Sequence, residues 1–215
     1  MAQTQITPTR MELTRLKKKL STAQRGHKLL KDKRDELMRR FLDMAKLNRK
    51  LRKEVEEAIN SANRNFVIAG ATMDKASLTS AMLAPKQQVF LEVSEKNVMS
   101  VDIPVYNVKT RTSDTSDIYS YGFAFTSAEL DDAVASLSEV LPGMLRLAEV
   151  EKSCQLLSAE IEKTRRRVNA LEHVMIPETR EKIRYITMKL DENERSTQTR
   201  LMKVKDMVLK DAHGY

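Results

Sequence analysis

The residue types that most often carry chemistry are few in this chain and stand far apart. There are three histidines, His27, His173 and His213, and one cysteine, Cys154. A structural zinc site needs four nitrogen or sulfur ligands in one cluster, and this spacing provides no such group. A single cysteine also excludes an internal disulfide and is typical of a reducing compartment. The sequence therefore predicts neither a metal site nor a disulfide framework.

Motifs of the common enzyme classes are missing too. The five glycines are scattered, and neither the phosphate-binding pattern GxxxxGK[ST] nor the nucleophile pattern GxSxG occurs. Acidic pairs such as Glu56-Glu57 and Asp131-Asp132 lie in helix-like segments, where they are most simply solvated. We therefore expect a chain without catalytic residues or a cofactor, which is not an enzyme by itself.

A long apolar repeat runs through the amino-terminal third. From Leu13 to Ala62, positions spaced alternately by three and four residues are apolar, except for His27, Arg34 and Asn48. This spacing, sustained with charges around it, is the signature of a coiled-coil helix. The three polar residues share one heptad position, where they cost stability but can define register and partner number. We interpret His27 as a core or rim histidine.

Gly26 lies beside this repeat. A glycine inside a helix costs about 1 kcal/mol relative to alanine. Either another backbone approaches closely at this point, or the glycine is merely tolerated, and the sequence leaves both explanations open.

The carboxy-terminal third carries the same repeat from Leu147 to Met175, and it resumes at Ile183. Between these stretches stands Pro177, which cannot donate a backbone hydrogen bond and whose ring crowds the preceding turn. We therefore predict a kink or local unwinding near residues 173–177.

Two further irregularities are predicted in this third. A second helix break is expected at Pro142-Gly143. After Leu190 the apolar positions move to Leu201, Val204 and Val208, which is consistent with a stutter in the supercoil.

The middle of the chain has a different character. Residues 89–93 (VFLEV) and 98–108 (VMSVDIPVYNV) predict a β-hairpin with its turn at residues 94–97 (SEKN), and Pro104 places the second strand at an edge. A polar loop then leads to the segment YSYGFAF, whose aromatic rings share one face if it is extended. These rings are Tyr119, Tyr121, Phe123 and Phe125. We expect them to pack on the hairpin as a small core, and the alternative is a partner-binding patch.

Two complementary helical arms on one chain predict an antiparallel pair. The expected fold is mainly α, a long antiparallel two-helix coiled coil formed by the N- and C-terminal helices, with a small central β-hairpin region. We assign residues 1–68 to the first coiled-coil helix, 69–127 to the central region and 128–215 to the second coiled-coil helix. A trial register that places Leu13 opposite Val204 brings Phe41 near residue 176, beside the proline break.

Charge is unevenly distributed. The net charge is +8, but residues 10–53 hold 17 basic and 5 acidic residues, a net +12, so the remainder carries −4. The first residues lack an apolar signal region, and no apolar run approaches about 18 residues, so we expect a soluble, cytoplasmic protein. The basic groups encircle the helix without interleaved aromatics for base stacking. A nucleic-acid-binding coiled coil is the alternative function, and a charged face for an acidic protein socket is a third.

Two segments resemble a known family. Residues 7–41 (TPTRMELTRLKKKLSTAQRGHKLLKDKRDELMRRF) closely resemble the amino-terminal helix of the D subunit of V-type and archaeal A-type ATPases. Residues 166–177 (RRVNALEHVMIP) resemble that family's second marker, in its carboxy-terminal helix. The two motifs occur in the right order, one on each predicted arm, and the β-prone middle also agrees.

The resemblance implies a non-catalytic part of a rotary motor. Family members form the central-stalk rotor shaft, which couples ATP hydrolysis or synthesis in the hexamer of A and B subunits to rotation of a membrane ring and transport of protons or sodium ions. The tip with both termini enters the hexamer, the small F subunit binds lower down, and the base seats on the connecting subunit, called C or d. The implied location is cytoplasmic and peripheral to the membrane, without direct membrane insertion and without nucleic acid.

We predict that basic side chains form the partner interface. Those expected to meet the A/B hexamer are Arg10, Lys17, Lys28, Lys31, Arg34, Arg39 and Arg40. A second group, Arg165, Arg166, Arg167 and His173, joins them or meets the F subunit. Residues 89–108 of the hairpin contact the F subunit, the connecting subunit or no partner.

Overall fold

The computed structural model describes residues 7–112, 114–122 and 126–212. The α-helices of these ranges are α1 (Arg10–Thr72), α2 (Lys75–Met82), α3 (Ala128–Ala170) and α4 (Ile176–Ala212). The strands are β1 (Val89–Val98) and β2 (Val101–Thr110), and a 3-10 turn follows at Thr115–Ile118. A π-helical turn, Leu171–Met175, lies between α3 and α4. The predicted mainly α fold with a central β-hairpin is confirmed.

The chain forms two compact units. The first contains Met1–Asp35 and Lys163–Tyr215, and the second contains Glu36–Glu162. Helix α1 therefore contributes residues 10–35 to the first unit and 36–72 to the second, and α3 likewise contributes to both.

In the first unit the start of α1 runs antiparallel to the carboxy-terminal helices. Arg10 Nη2 lies 2.5 Å from Glu194 Oε1, and His27 Nε2 lies 3.3 Å from Glu172 Oε2. Residue numbers therefore increase along one helix while they decrease along the other. Every member of the predicted α1 repeat from position 13 to position 34 is buried or half-buried. The apolar repeat therefore forms the helix interface, as predicted.

The second unit pairs the rest of α1 with α3 in the same antiparallel sense. Asn65 donates a 3.0 Å hydrogen bond to the Ser136 hydroxyl, and Arg52 lies 3.7 Å from Glu151. The repeat positions from 37 to 62 are again all buried or half-buried. The predicted seam of α1 is thus confirmed in both units.

The trial register was wrong. Phe41 packs against the core cluster formed by Leu37, Leu157 and Ile161, and not near residue 176. A uniform apolar repeat fits several registers that differ by whole heptads almost equally well. Individual polar and bulky pairs, such as Arg10 with Glu194, select one of these registers, and the apolar pattern does not reveal these pairs.

The hairpin tip also belongs to this core. β1 and β2 are antiparallel and are joined by the two-residue turn Met99-Ser100. Val101 and Ile103 are buried against Leu37 and Leu157, and Met99 packs on the same cluster. The predicted hairpin is confirmed, but the turn predicted at residues 94–97 is wrong, because these residues continue β1 and pair with β2. The apolar tip attaches the hairpin to the helix pair of the second unit.

A second cluster in this unit joins α1, α2 and α3. Its buried residues are Ala69, Ala81 and Leu130, and Tyr121 packs against them. The Tyr121 hydroxyl donates a 2.8 Å hydrogen bond to Asp131, in the first turn of α3. The expectation that this ring packs on the hairpin is therefore wrong, because the short connection into α3 brings it to the helices. Phe123 and Phe125 lie outside the described residues.

The predicted break at Pro142-Gly143 is also wrong, because α3 continues through it. Val140 and Val150 are buried on either side, and an added Cβ on Gly143 would lie 3.4 Å from a Val55 methyl group. This packing on α1 offsets the cost of a proline inside a helix, about 3 kcal/mol.

The break near Pro177 is confirmed, and it takes the form of the π turn. The Ile176 amide donates to the Leu171 carbonyl, five residues back. A π turn holds one residue more than an α turn, so the next buried residue after Leu171 is Ile176, at 9% exposure, and not Met175, at 38%. The predicted seam position at Met175 was wrong by one residue for this reason.

Beyond Leu190 the predicted seam positions are not buried. Leu201, Val204 and Val208 lie on α4 but are exposed in the described part of the chain. Helix α1 begins at Arg10, opposite Glu194, so α4 continues past the start of its described partner helix.

Candidate partner interface

The first unit holds nine of the eleven predicted interface residues. Along its helices the exposed members are Arg10, Lys17, Lys28, Lys31, Arg165, Arg166, Arg167 and His173, while Arg34 is half-buried. Arg39 and Arg40 are exposed and belong to the second unit. The structure thus brings most of the predicted set together on one antiparallel helix pair, and it places these two arginines in the other unit.

Several of these side chains are held by acidic neighbours. Arg34 contacts Asp35 Oδ1 through two nitrogens, at 2.7 and 2.9 Å. In the second unit Arg39 and Arg40 share Glu36, at 3.3 and 3.1 Å. Exposed pairs of this kind are individually worth about 1 kcal/mol or less. These pairs orient the guanidinium groups, and each contributes little to stability.

The two units differ strongly in charge. Met1–Asp35 and Lys163–Tyr215 together contain 23 basic and 11 acidic residues, a net +12, while Glu36–Glu162 contains 15 basic and 19 acidic residues, a net −4. A concentration of one sign on one unit creates a field that attracts oppositely charged surfaces and speeds their association. The first unit is therefore suited to an acidic partner.

His27 occupies a half-buried seam position, and its ring faces the Glu172 carboxylate. Within the described ranges no three His, Cys, Asp or Glu side chains cluster closely enough to hold a metal ion. The His27–Glu172 contact therefore acts as a bridge between helices, which fits the interpretation of His27 as a core or rim residue.

Helix α4 carries charge pairs beside its seam, in which Lys182 and Lys189 are half-buried. A hydrogen bond from Lys182 holds the pKa of Glu178 below its usual value. A hydrogen bond to Glu192 raises the pKa of Lys189 above its usual value. Each shift favours the charged form of its group, so both pairs are ionised at neutral pH.

Cys154 is half-buried in the second unit. Burial raises the pKa of the Cys154 thiol, and a hydrogen bond with Asn48 partly opposes this shift. A depression of about 420 Å³ beside α2 is lined by small and hydroxyl side chains such as Ser77, Ser80 and Ser120, with no charged group among its described lining residues.

The hairpin contributes an apolar surface that the basic residues do not. Val89, Leu91, Val93 and Val108 are exposed on one face of the strands, away from the packed tip, and Phe90 is exposed on the other face. Contiguous exposed apolar groups often mark sites of association. The alternation of the hairpin sequence predicted two faces, but it did not show which face the helices would leave open.

Comparison with known proteins decides the family. The family model described as the D subunit of ATP synthase matches residues 12–206. The chain belongs to this family. It is 60% identical to the V-type ATP synthase D subunit of Acetivibrio thermocellus over 215 residues, which cover 100% of this chain and 97% of that protein. It is 61% identical to the V-type ATP synthase D subunit of Clostridioides difficile over 212 residues, 99% and 95% of the two chains.

The match agrees with the two marker segments, residues 7–41 and 166–177, which lie almost entirely within the matched span of the family model. The resemblance inferred from them is confirmed. Among the described helices, none combines the length and the apolar composition that a membrane span requires. As a family member the chain is part of an ATP synthase complex, which implies that it has partner subunits.

Proposed function

We propose that this D subunit is the non-catalytic central-stalk component, the rotor shaft, of a rotary V-type or A-type ATPase. It would couple ATP hydrolysis or synthesis in an A/B hexamer to rotation of the membrane ring and to ion transport. The observation that carries the proposal is the family match across residues 12–206 of a chain built from antiparallel helix pairs.

The helix pairing suits a part that transmits torque. An apolar seam without exposed members along α1 resists separation of the helices when the pair is twisted. The two paired helices differ in sequence, so the pair presents a different face in each direction, whereas a symmetric homodimer would present the same face twice. Such asymmetry allows the interfaces of a surrounding ring to be in different states at one moment.

We assign the A/B hexamer to the basic surface of the first unit. Its net charge of +12 favours an acidic socket, and its charged outer surface suits a contact that must release and form again. The F subunit and the connecting subunit would bind elsewhere on the chain, and the exposed apolar part of the hairpin is a candidate for one of them.

Charge reversal tests the assignment to the hexamer. The variant with Lys17, Lys28 and Lys31, three exposed residues of the first unit, all replaced by glutamate should bind an A/B hexamer roughly tenfold to hundredfold more weakly at moderate salt, since each lost contact is worth about 1 kcal/mol or less. The measurement is titration of labelled chain with hexamer, followed by fluorescence anisotropy.

A matched variant carries the same change of charge elsewhere. Lys75, Lys96 and Arg146 are exposed residues of the second unit. Their replacement by glutamate should leave hexamer affinity nearly unchanged. Equal losses in both variants would show that only total charge matters, and no loss in either would remove the basic surface from the interface.

Stoichiometry tests membership in the motor. Size-exclusion chromatography with light scattering, in about 150 mM salt to suppress nonspecific attraction, should give one chain per A/B hexamer. Absence of a complex, even with the F subunit present, would contradict the rotor proposal. A salt-sensitive gel shift with RNA or DNA would then favour the nucleic-acid-binding alternative.

A further inference from the structure

Helix α1 has a weak point at Gly26. An added Cβ at this position would meet nothing within 4 Å, so no close backbone approach within the described chain requires a glycine here. A helical glycine lacks the side chain that restricts the backbone, and it costs about 1 kcal/mol relative to alanine. The helix is therefore locally easier to deform at Gly26 than on either side.

The opposite side of the pair has a weak point of its own. At the π turn, Leu171–Met175, the hydrogen bond from Ile176 spans five residues instead of four. Pro177, which follows at once, has no backbone N–H to donate. Leu171 is half-buried at the start of this turn, but Glu172 and the next three residues are all exposed, so most of the turn lies outside the seam.

These two weak points lie at the same level of the helix pair. His27, next to Gly26, contacts Glu172 inside the π turn at 3.3 Å. Two packed helices can bend or twist at one level only if both are deformable there, because a stiff helix holds its neighbour straight. Both helices have a weak point at the level of Gly26 and the π turn, so neither holds the other straight there.

We propose that Gly26, the π turn and Pro177 form a flexible joint in the helix pair of the first unit, tied across the seam by the His27–Glu172 bridge. The bridge keeps the two helices together while the backbone on each side adjusts. If the chain is a rotor shaft, as proposed above, the joint gives that shaft a point of elastic bending or twisting. The joint itself is a property of the isolated chain.

Hydrogen exchange on the full chain tests the α1 side. Gly26→Ala should slow exchange of the amides just after position 26 about fivefold, the rate equivalent of about 1 kcal/mol in helix propensity. Gly26→Ala should also slow amide exchange in the π turn, because a stiffer α1 restricts the motion of the helix packed against it. Gly70→Ala is the matched control: its Cβ would make only an ordinary 3.8 Å contact with Leu78, in the second unit. It should leave the π turn unchanged.

Spin-label distances test the α4 side. Labels at the exposed positions Arg166 and Arg195, in a Cys154→Ser background, flank the joint. They are separated by roughly 44 Å if the segment is helical at about 1.5 Å per residue. A broad distribution of distances is expected for the starting protein. Deleting Val174 together with Pro177→Ala removes the extra residue and restores the donor, so the distribution should narrow.

The controls define what overturns the joint. Pro142→Ala removes a helical proline from the second unit and should not change the width of the 166–195 distribution. If that width is narrow in the starting protein, or unaltered in both the Gly26→Ala variant and the α4 variant, the joint is refuted. Gly26→Ala adds one methyl group in open space, so this test does not depend on whether the deletion variant folds. Both measurements use the isolated chain, so a failed joint leaves the rotor proposal untouched.

Discussion

Two neighbouring residues of the first unit should lose very different amounts of stability when each is replaced by alanine. Ile176 is 9% exposed and lies in the seam, whereas Met175 is 38% exposed and lies outside it. The π turn causes this difference, because it delays the seam by one residue. A regular α-helix through this region would instead put Met175 in the seam and Ile176 outside it.

The expected magnitudes follow from burial. Ile176→Ala removes buried carbons and leaves a cavity, so it should lower the free energy of unfolding by about 2–4 kcal/mol. Met175→Ala removes a partly solvated side chain and should cost less than about 1 kcal/mol. In a chain of this size these losses lower the melting temperature by about 2–4 °C per kcal/mol.

Urea unfolding followed by far-UV circular dichroism measures both variants. The comparison is valid if the slope with urea stays constant, because a changed slope would signal an altered unfolded or native state. A loss for Met175→Ala equal to or larger than that for Ile176→Ala would refute the π turn and the shifted seam.

Two further predictions concern the second unit. Ser100 has a φ of 69° in the hairpin turn, so Ser100→Gly should stabilise the protein by about 1 kcal/mol in urea unfolding. By contrast, Ser94→Gly within β1 should destabilise the protein by about 0.5–1 kcal/mol. Equal effects would show that the turn is not strained. Burial raises the pKa of the Cys154 thiol, so less thiolate is present at mildly alkaline pH. Iodoacetamide should therefore alkylate the native protein more slowly than the urea-unfolded chain. Equal rates would contradict a half-buried thiol with a raised pKa.

The apolar seam of α1 could be predicted because a single repeat runs from Leu13 to Ala62 without a slip. The hairpin was predictable for a similar reason, since apolar and polar residues alternate along its second strand, although its turn lies at Met99-Ser100 and not at residues 94–97. Both features depend on local periodicity, which the sequence shows directly.

Features that depend on competition between local and tertiary terms were harder to predict. Pro142 and Pro177 look alike in sequence, but buried neighbours keep the helix continuous at the first, whereas the second adjoins a π turn. Helix α2 was missed, although Asp74, whose side chain accepts a hydrogen bond from the Ala76 amide, is a recognisable N-cap. Register was out of reach because heptads repeat.

The interface residues remain predictions for a physical reason. Exposed basic side chains such as Lys17, Lys28 and Lys31 look alike in the free chain, because their energetic worth depends on the acidic groups that a partner supplies. The chain contains one half of each contact. The assignment of a partner to the exposed apolar part of the hairpin is likewise a prediction.

Single-molecule rotation tests the rotor role most directly. An A/B hexamer is held on a surface, this chain is added with a bead attached to an exposed residue, and ATP is supplied. The account predicts stepwise rotation of the bead in one direction, which stops when ATP is removed. If the chain is bound and the hexamer hydrolyses ATP while the bead shows only random fluctuation, the chain is not the rotor shaft.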